Sequence, residues 1–201
     1  LRQGEAVAFA WSTEWLALCD GPGEARILPF SLAMERLDGF LKDPNRKKIA
    51  HDAKPFYHSA LATGNEIRGL HCDTKIAAYL LEPGSAPGYS LRDTVSHYLR
   101  ISIDETPSAL QVGEQGRFVL DEDDKKRVCR EAVAVRAVAT VLEEQLRNQR
   151  IWELATTLEF PLVKVLARME HNGILIDCGY LENLNSDFGN RMATLESTIQ
   201  Q

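Results

Sequence analysis

Apolar positions change their rhythm along the chain. Ala6–Trp11 and Trp15–Cys19 are short apolar runs almost back to back, Asp20-Gly21-Pro22-Gly23 is turn chemistry, and Arg26–Pro29 resumes an extended pattern. Three closely spaced strands with short links predict an antiparallel meander. Met34, Leu37 and Leu41 then share one helical face behind Ser31, a residue type that caps helices, and Asp43-Pro44-Asn45 ends that helix. Beyond it the elements alternate. Lys48–His51 reads as a strand, Lys54–Ala62 as a helix stopped by Gly64, Gly69–His71 as a strand, and Ile76–Leu81 as a helix capped by Asp73 and ended by Pro83-Gly84. Strand and helix in alternation predict parallel crossovers added to the meander, hence a mixed sheet with helices on its faces.

Ser90–Leu99 is a short amphipathic helix, and Arg100 to about Phe118 has no clean period and reads as a long loop. The longest predicted helix, Asp121–Arg150, buries the face that carries Val128, Ala132, Val135, Ala139, Leu142 and Leu146. A break at Arg150-Ile151-Trp152 introduces a helical hairpin. Its first helix has the stripe Leu158, Leu162, Val165, Leu166 and Met169 and stops at Gly173; its second, capped by Asp177, has Leu181, Leu184, Phe188, Met192 and Leu195. The change of pattern predicts two domains, 1–151 and 152–201.

Composition narrows the class. The 201 residues are 44% hydrophobic and 26% charged, which excludes disorder and collagen-like architecture. No apolar run approaches the roughly 20 residues that cross a bilayer. The net charge of −6 gives no overall basic footprint for nucleic acid. Arg46-Lys47-Lys48 is the best local candidate for a DNA contact, and its simpler reading is a solvated loop. Cys19, Cys72, Cys129 and Cys178 lie far apart, with neither zinc spacing nor a disulfide framework, as in a reducing cytoplasm. The chain opens Leu1-Arg2-Gln3-Gly4 without Met or a signal pattern and closes while a helical pattern is running, so it reads as a piece of a longer polypeptide.

Two segments carry a family resemblance. Glu159-Phe160-Pro161-Leu162, Val165–Glu170, Asn172-Gly173-Ile174 and Asp177 resemble the thumb entry of family A DNA polymerases, and Cys72–Pro83 with Ser90–Asp93 and Tyr98-Leu99 resembles the 3′–5′ exonuclease domain of that family. The resemblance implies a ribonuclease-H-like fold followed by truncated thumb helices. It also implies a parent that extends primers on DNA with Mg²⁺, the rest of the polymerase domain in cis, and no polymerase carboxylates in this stretch. Active family members cleave with two metal ions held by carboxylates. Matching the family's motifs residue by residue puts Ala10 and Ser12 at the Asp and Glu of the first strand. Asp52 falls on the Asn and Phe56 on the Asp of the second motif, and Val128 and Ala132 fall on the Tyr and Asp of the last long helix. These vacated positions, expected to meet at the mouth of the first strand, imply no catalytic residue, no metal and a domain kept as a scaffold. A shifted register offers Glu14, Asp20, Asp52, Asp73 or Glu131 as relocated ligands of a working nuclease, and a module that binds DNA or protein without cutting is the third possibility.

Four other features read as structure. Asp121–Asp124 suits the start of a helix. His71-Cys72-Asp73, His51 and His58, and the three tryptophans Trp11, Trp15 and Trp152 read as packing or capping groups rather than ligands, catalysts or base-stacking platforms. The apolar stripe of the last helix predicts fraying or pairing with a second copy.

Overall fold

The computed structural model describes residues 5–21, 23–86, 88–103, 109–110 and 122–199. Strands β1 (Val7–Trp11), β2 (Trp15–Gly21) and β3 (Glu24–Pro29) form the predicted meander, with Phe9 opposite Leu18 and Leu16 opposite Leu28. β4 (Lys48–Ala50) runs parallel to β1, and β5 (Leu70–Asp73) parallel to β4. β6 (Ala109–Leu110), two residues within the stretch predicted as loop, runs parallel to β3. The order β5-β4-β1-β2-β3-β6 places β1 inside the sheet.

The helices of this region are α1 (Phe30–Arg36), α2 (Asp38–Lys42), α3 (Lys54–Ala62), α4 (Thr74–Leu81), α5 (Leu91–Leu99) and α6 (Glu122–Asn148). They continue with α7 (Trp152–Leu154), a π-helical turn (Ala155–Glu159) and α8 (Phe160–Asn172). Because strand side chains alternate, the sheet has two differently filled faces. Ala8, Ala10, Ala17 and Cys19 pack with Val128, Ala132, Val135, Ala139, Leu142 and Leu146 of α6, all buried as their periodicity predicts. The small strand residues let α6 lie close across β1 and β2. On the other face Val7, Phe9, Leu16 and Leu18 meet Met34, Phe56, Tyr57 and Ala60, together with Val163 and Ala167 of α8.

The caps correct one expectation and meet three. Ser31 caps nothing: α1 starts at Phe30 directly from β3, with Pro29 as N-cap and the Phe30 amide donating to the Glu14 carbonyl at 2.7 Å. A turn tied to the neighbouring hairpin needs no hydroxyl there. The predicted single helix to Leu41 is broken at Leu37, whose φ of −102° and ψ of 9° separate α1 from α2. Asp73 caps α4 as expected, and Ser90, which the sequence reading did not single out, caps α5.

By contact the chain divides after His171, whereas the hydrophobic pattern changes near residue 152. The residues between pack on the α/β unit. Trp152 stacks edge-on against His71 and Phe160, Lys164 pairs with Glu66 at 2.6 Å, and Glu170 takes Lys54 and His58 at 2.8 Å each. The stripe Leu158, Leu162, Val165, Leu166 and Met169 is exposed, and the buried positions of α8 are Phe160, Val163 and Ala167. In the second unit, Gly173 has a φ of +68°, the left-handed conformation of a helix stop, and Asp177 accepts the Tyr180 amide at 2.9 Å to start α9 (Cys178–Ile199). Leu181, Phe188, Met192 and Leu195 on α9 are exposed. Among the described residues no helix is long and apolar enough to cross a membrane.

Candidate active site

Three of the five vacated positions come together. Ala10 faces α6 from β1, and Val128 and Ala132, four residues apart on one α6 stripe, join it in a single apolar cluster, at 6%, 0% and 0% exposure. Ser12 sits just past the end of β1, where its Oγ accepts the amides of Glu14 and Trp15 and donates to Asp124 Oδ2 at 2.7 Å. Asp124 lies one helical turn before Val128, on the same stripe. Burial alone would raise its pKa, yet the bonds from Ser12 and Arg127 outweigh that and hold it below the usual value. Arg127 also reaches Glu131 Oε1 at 2.6 Å.

Phe56 does not join them, which corrects the expectation of a single pocket. It packs against Phe9 (4.6 Å between centroids), Trp11 (5.0 Å) and Phe30 (6.0 Å). Phe9 and Trp11 alternate with Ala10, so Phe56 covers the end of β1 from the opposite face.

The second-motif turn is built around Asp73. This carboxylate is almost completely buried and accepts four backbone amides: Asp52 (3.0 Å), Ala53 (2.7 Å), Lys75 (3.0 Å) and Ile76 (3.4 Å). One side chain thus caps α4 and fixes the turn from β4 into α3. Burial pushes its pKa above the usual carboxylate value, and the four amide bonds only partly oppose that shift. Asp52 takes a φ of +54°, a conformation that Asn and Asp tolerate better than most residues, and pairs with Lys75 at 2.7 Å. His51 Nδ1 lies 2.9 Å from Thr74 Oγ1, which in turn lies 3.3 Å from the Ala50 carbonyl. Burial drives the His51 pKa down to about 4.

Of the basic run, Lys48 is withdrawn as a DNA contact. It has no exposed surface, and its Nζ donates to the carbonyls of Asp43 (2.9 Å) and Arg46 (2.8 Å) above the Phe40 ring. Burial lowers its pKa to about 8. Gly69, at a φ of +75°, is required by the same loop, because a Cβ there would lie 2.7 Å from the Arg46 carbonyl oxygen. Lys47 is exposed and Arg46 half-buried over Phe40.

The remaining candidates are structural. His71 Nε2 meets Glu143 at 3.3 Å, Cys72 is buried, and Trp15 carries the Lys125 ammonium 4.5 Å above its ring. Glu14 is exposed, and Asp20 pairs with Arg26 at 3.4 Å. Among the described residues no three His, Cys, Asp or Glu side chains gather as a metal site would require. Sequence reasoning missed Asp124 and Arg127. The signal lay in their spacing, since Asp124, Val128 and Ala132 fall at four-residue steps.

Comparison with known proteins agrees with this architecture. A family profile described as 3′–5′ exonuclease matches residues 15–133. The DNA polymerase I of Mycobacterium tuberculosis (strain ATCC 25618 / H37Rv) is 32% identical over 199 residues, covering 94% of this chain and 21% of that protein. The DNA polymerase I of Geobacillus stearothermophilus is 30% identical over 189 residues, covering 92% of this chain and 21% of that protein. This chain therefore spans about a fifth of the length of the curated relatives it matches. The POL domain of Pol1 from M. smegmatis, solved with DNA primer-template and dNTP, aligns with a TM-score of 0.75 at 28% identity, covering 94% of this chain and 32% of that one. Brucella melitensis NrnC, at 18% identity and a TM-score of 0.66 over 85% of this chain and 87% of its own, shares the fold. With the profile match covering more than half its length, the chain belongs to the 3′–5′ exonuclease domain family of the family A DNA polymerases.

Proposed function

We propose that this chain is a fragment of a DNA polymerase I-type enzyme whose 3′–5′ exonuclease domain has lost its metal-holding carboxylates and serves as a structural scaffold for the polymerase domain in replication and repair. One observation carries the reading: Ala10 and Ala132, matched to carboxylate positions of the family, and Val128, matched to its Tyr, close on each other as buried hydrocarbon. Two Mg²⁺ ions need hard oxygen ligands. Methyl and isopropyl groups offer none, Phe56 offers none, and the Ser12 hydroxyl is committed to Asp124. The residues present do not fit the ions.

The polar links of α8 support the scaffold role. The Glu66–Lys164 pair and the Lys54 and His58 contacts with Glu170 tie the helix that resembles the thumb entry to α3 and the loop after it. The relocated-ligand reading has less to draw on. Asp52 is paired with Lys75, Glu131 with Arg127, and the Asp73 oxygens are spent on four amides.

The test is 3′-end shortening of labelled single-stranded DNA by the purified chain with Mg²⁺ or Mn²⁺. No shortening above a chelator-treated control is expected. Processive shortening that EDTA abolishes would overturn the proposal.

A further inference from the structure

We infer that the Arg127 guanidinium is the built-in cation of the β1–α6 joint, replacing the divalent ions that the family's chemistry uses there and freeing this edge of the fold from metal. The inference rests on the degenerate reading above and adds what took over the vacated electrostatics.

Asp124, Val128 and Ala132 form one stripe on α6, and Asp124 is the acid on it that hydrogen-bonds to Ser12 at the end of β1. Its two oxygens have separate partners. Oδ2 accepts Ser12 Oγ at 2.7 Å, and Oδ1 accepts Arg127 Nε at 3.2 Å. The other arm of the guanidinium reaches Glu131 at 2.6 Å, so one planar cation is bracketed by two carboxylates from successive turns.

Their side chains are 23% and 24% exposed, against 49% for Arg127, so the acids are largely covered and the cation closes the mouth above them. Two covered anions without a cation would be costly. Here the chain supplies it, and the fork geometry of Arg matches both carboxylates at once.

Ser12 makes this a joint rather than a surface ion pair. The residue at the family's Glu position closes the β1–β2 turn through the Glu14 and Trp15 amides and binds α6 through Asp124. Lys125, stacked on Trp15, holds the same turn of α6 against β2. A strand end and a helix once bridged through metal are here bridged through a hydroxyl, a carboxylate and a guanidinium.

Thermal unfolding of the full chain tests this at fixed ionic strength, in EDTA, in 5 mM Mg²⁺ and in 5 mM Mn²⁺. The unaltered protein is expected to melt at one temperature in all three. Arg127→Gln should lower that temperature by roughly 3–6 °C in EDTA. It should regain part of the loss in Mn²⁺, because the two carboxylates would then lack a cation. Adding Glu131→Gln to Arg127→Gln should abolish the Mn²⁺ response. Arg127→Lys, which keeps the charge without the fork, should fall between the unaltered protein and Arg127→Gln, and it supplies the reading if Arg127→Gln does not fold.

The inference is overturned if Arg127→Gln melts like the unaltered protein, or if its loss is the same in EDTA and Mn²⁺. A Mn²⁺-dependent melting temperature in the unaltered protein, accompanied by cleavage, would instead sink the degenerate reading.

Discussion

At the β4–α3–β5–α4 corner Asp73 is a buried carboxylate, whereas between β1 and α6 Ala10, Val128 and Ala132 form a buried apolar cluster. The difference lies in who satisfies the charge. Asp73 is held by four amides of its own chain, so its ionised form needs no external partner. Carboxylates at Ala10 and Ala132 would face one another across an apolar cluster, with only a bound ion to offset their desolvation and mutual repulsion. Where the chain's own amides supply the partners, a carboxylate can stay buried. Where only a bound ion could supply them, hydrocarbon is the more stable filling.

Reintroducing acid on the hydrocarbon side breaks the contrast most strongly. Ala132→Asp is expected to cost about 3–5 kcal/mol in urea unfolding at pH 7. The cost should shrink toward pH 4 as the new carboxyl takes up a proton. An unchanged midpoint would mean that the cluster already tolerates charge. Removing acid on the polar side comes next: Asp73→Ala leaves amides of two helix starts without an acceptor, with an expected loss of about 3 kcal/mol by the same measurement.

The smallest effect is a pH dependence at the same corner. His51 has its pKa lowered to about 4, chiefly by burial, so it favours the folded state fully above its ordinary value near 6.5. That contribution is lost as pH falls through 4. A decline of about 1–2 kcal/mol between pH 7 and 4 should therefore be flattened in His51→Asn, read as the difference between the two stability profiles.

Much of the fold was legible because it rests on local signals. The alternation in β1 and β2, the Asp73 and Asp177 caps, and the three- and four-residue steps from Val128 to Leu146 each use contacts within a few residues of chain. The misses came where a distant element intervened. Ser31 lost its capping role to a backbone bond from Glu14, and the apolar stripe of α8 proved exposed because Phe160, Val163 and Ala167 offer the face that fits the α/β unit. Lys48 looked like a surface cation, and its burial depends on two carbonyls of a loop folded back by Gly69.

By itself the sequence determined the strand and helix types and the mixed sheet, since these follow from residue identity and short-range periodicity. Only the tertiary structure decided that Ala10, Val128 and Ala132 close on one another while Phe56 covers the other face, and that Ser12 and Arg127 share Asp124. The contacts of Ala10 and Ser12 with α6 join residues more than a hundred positions apart. Their geometry is fixed by how α6 lies across the sheet, and no local pattern encodes that placement.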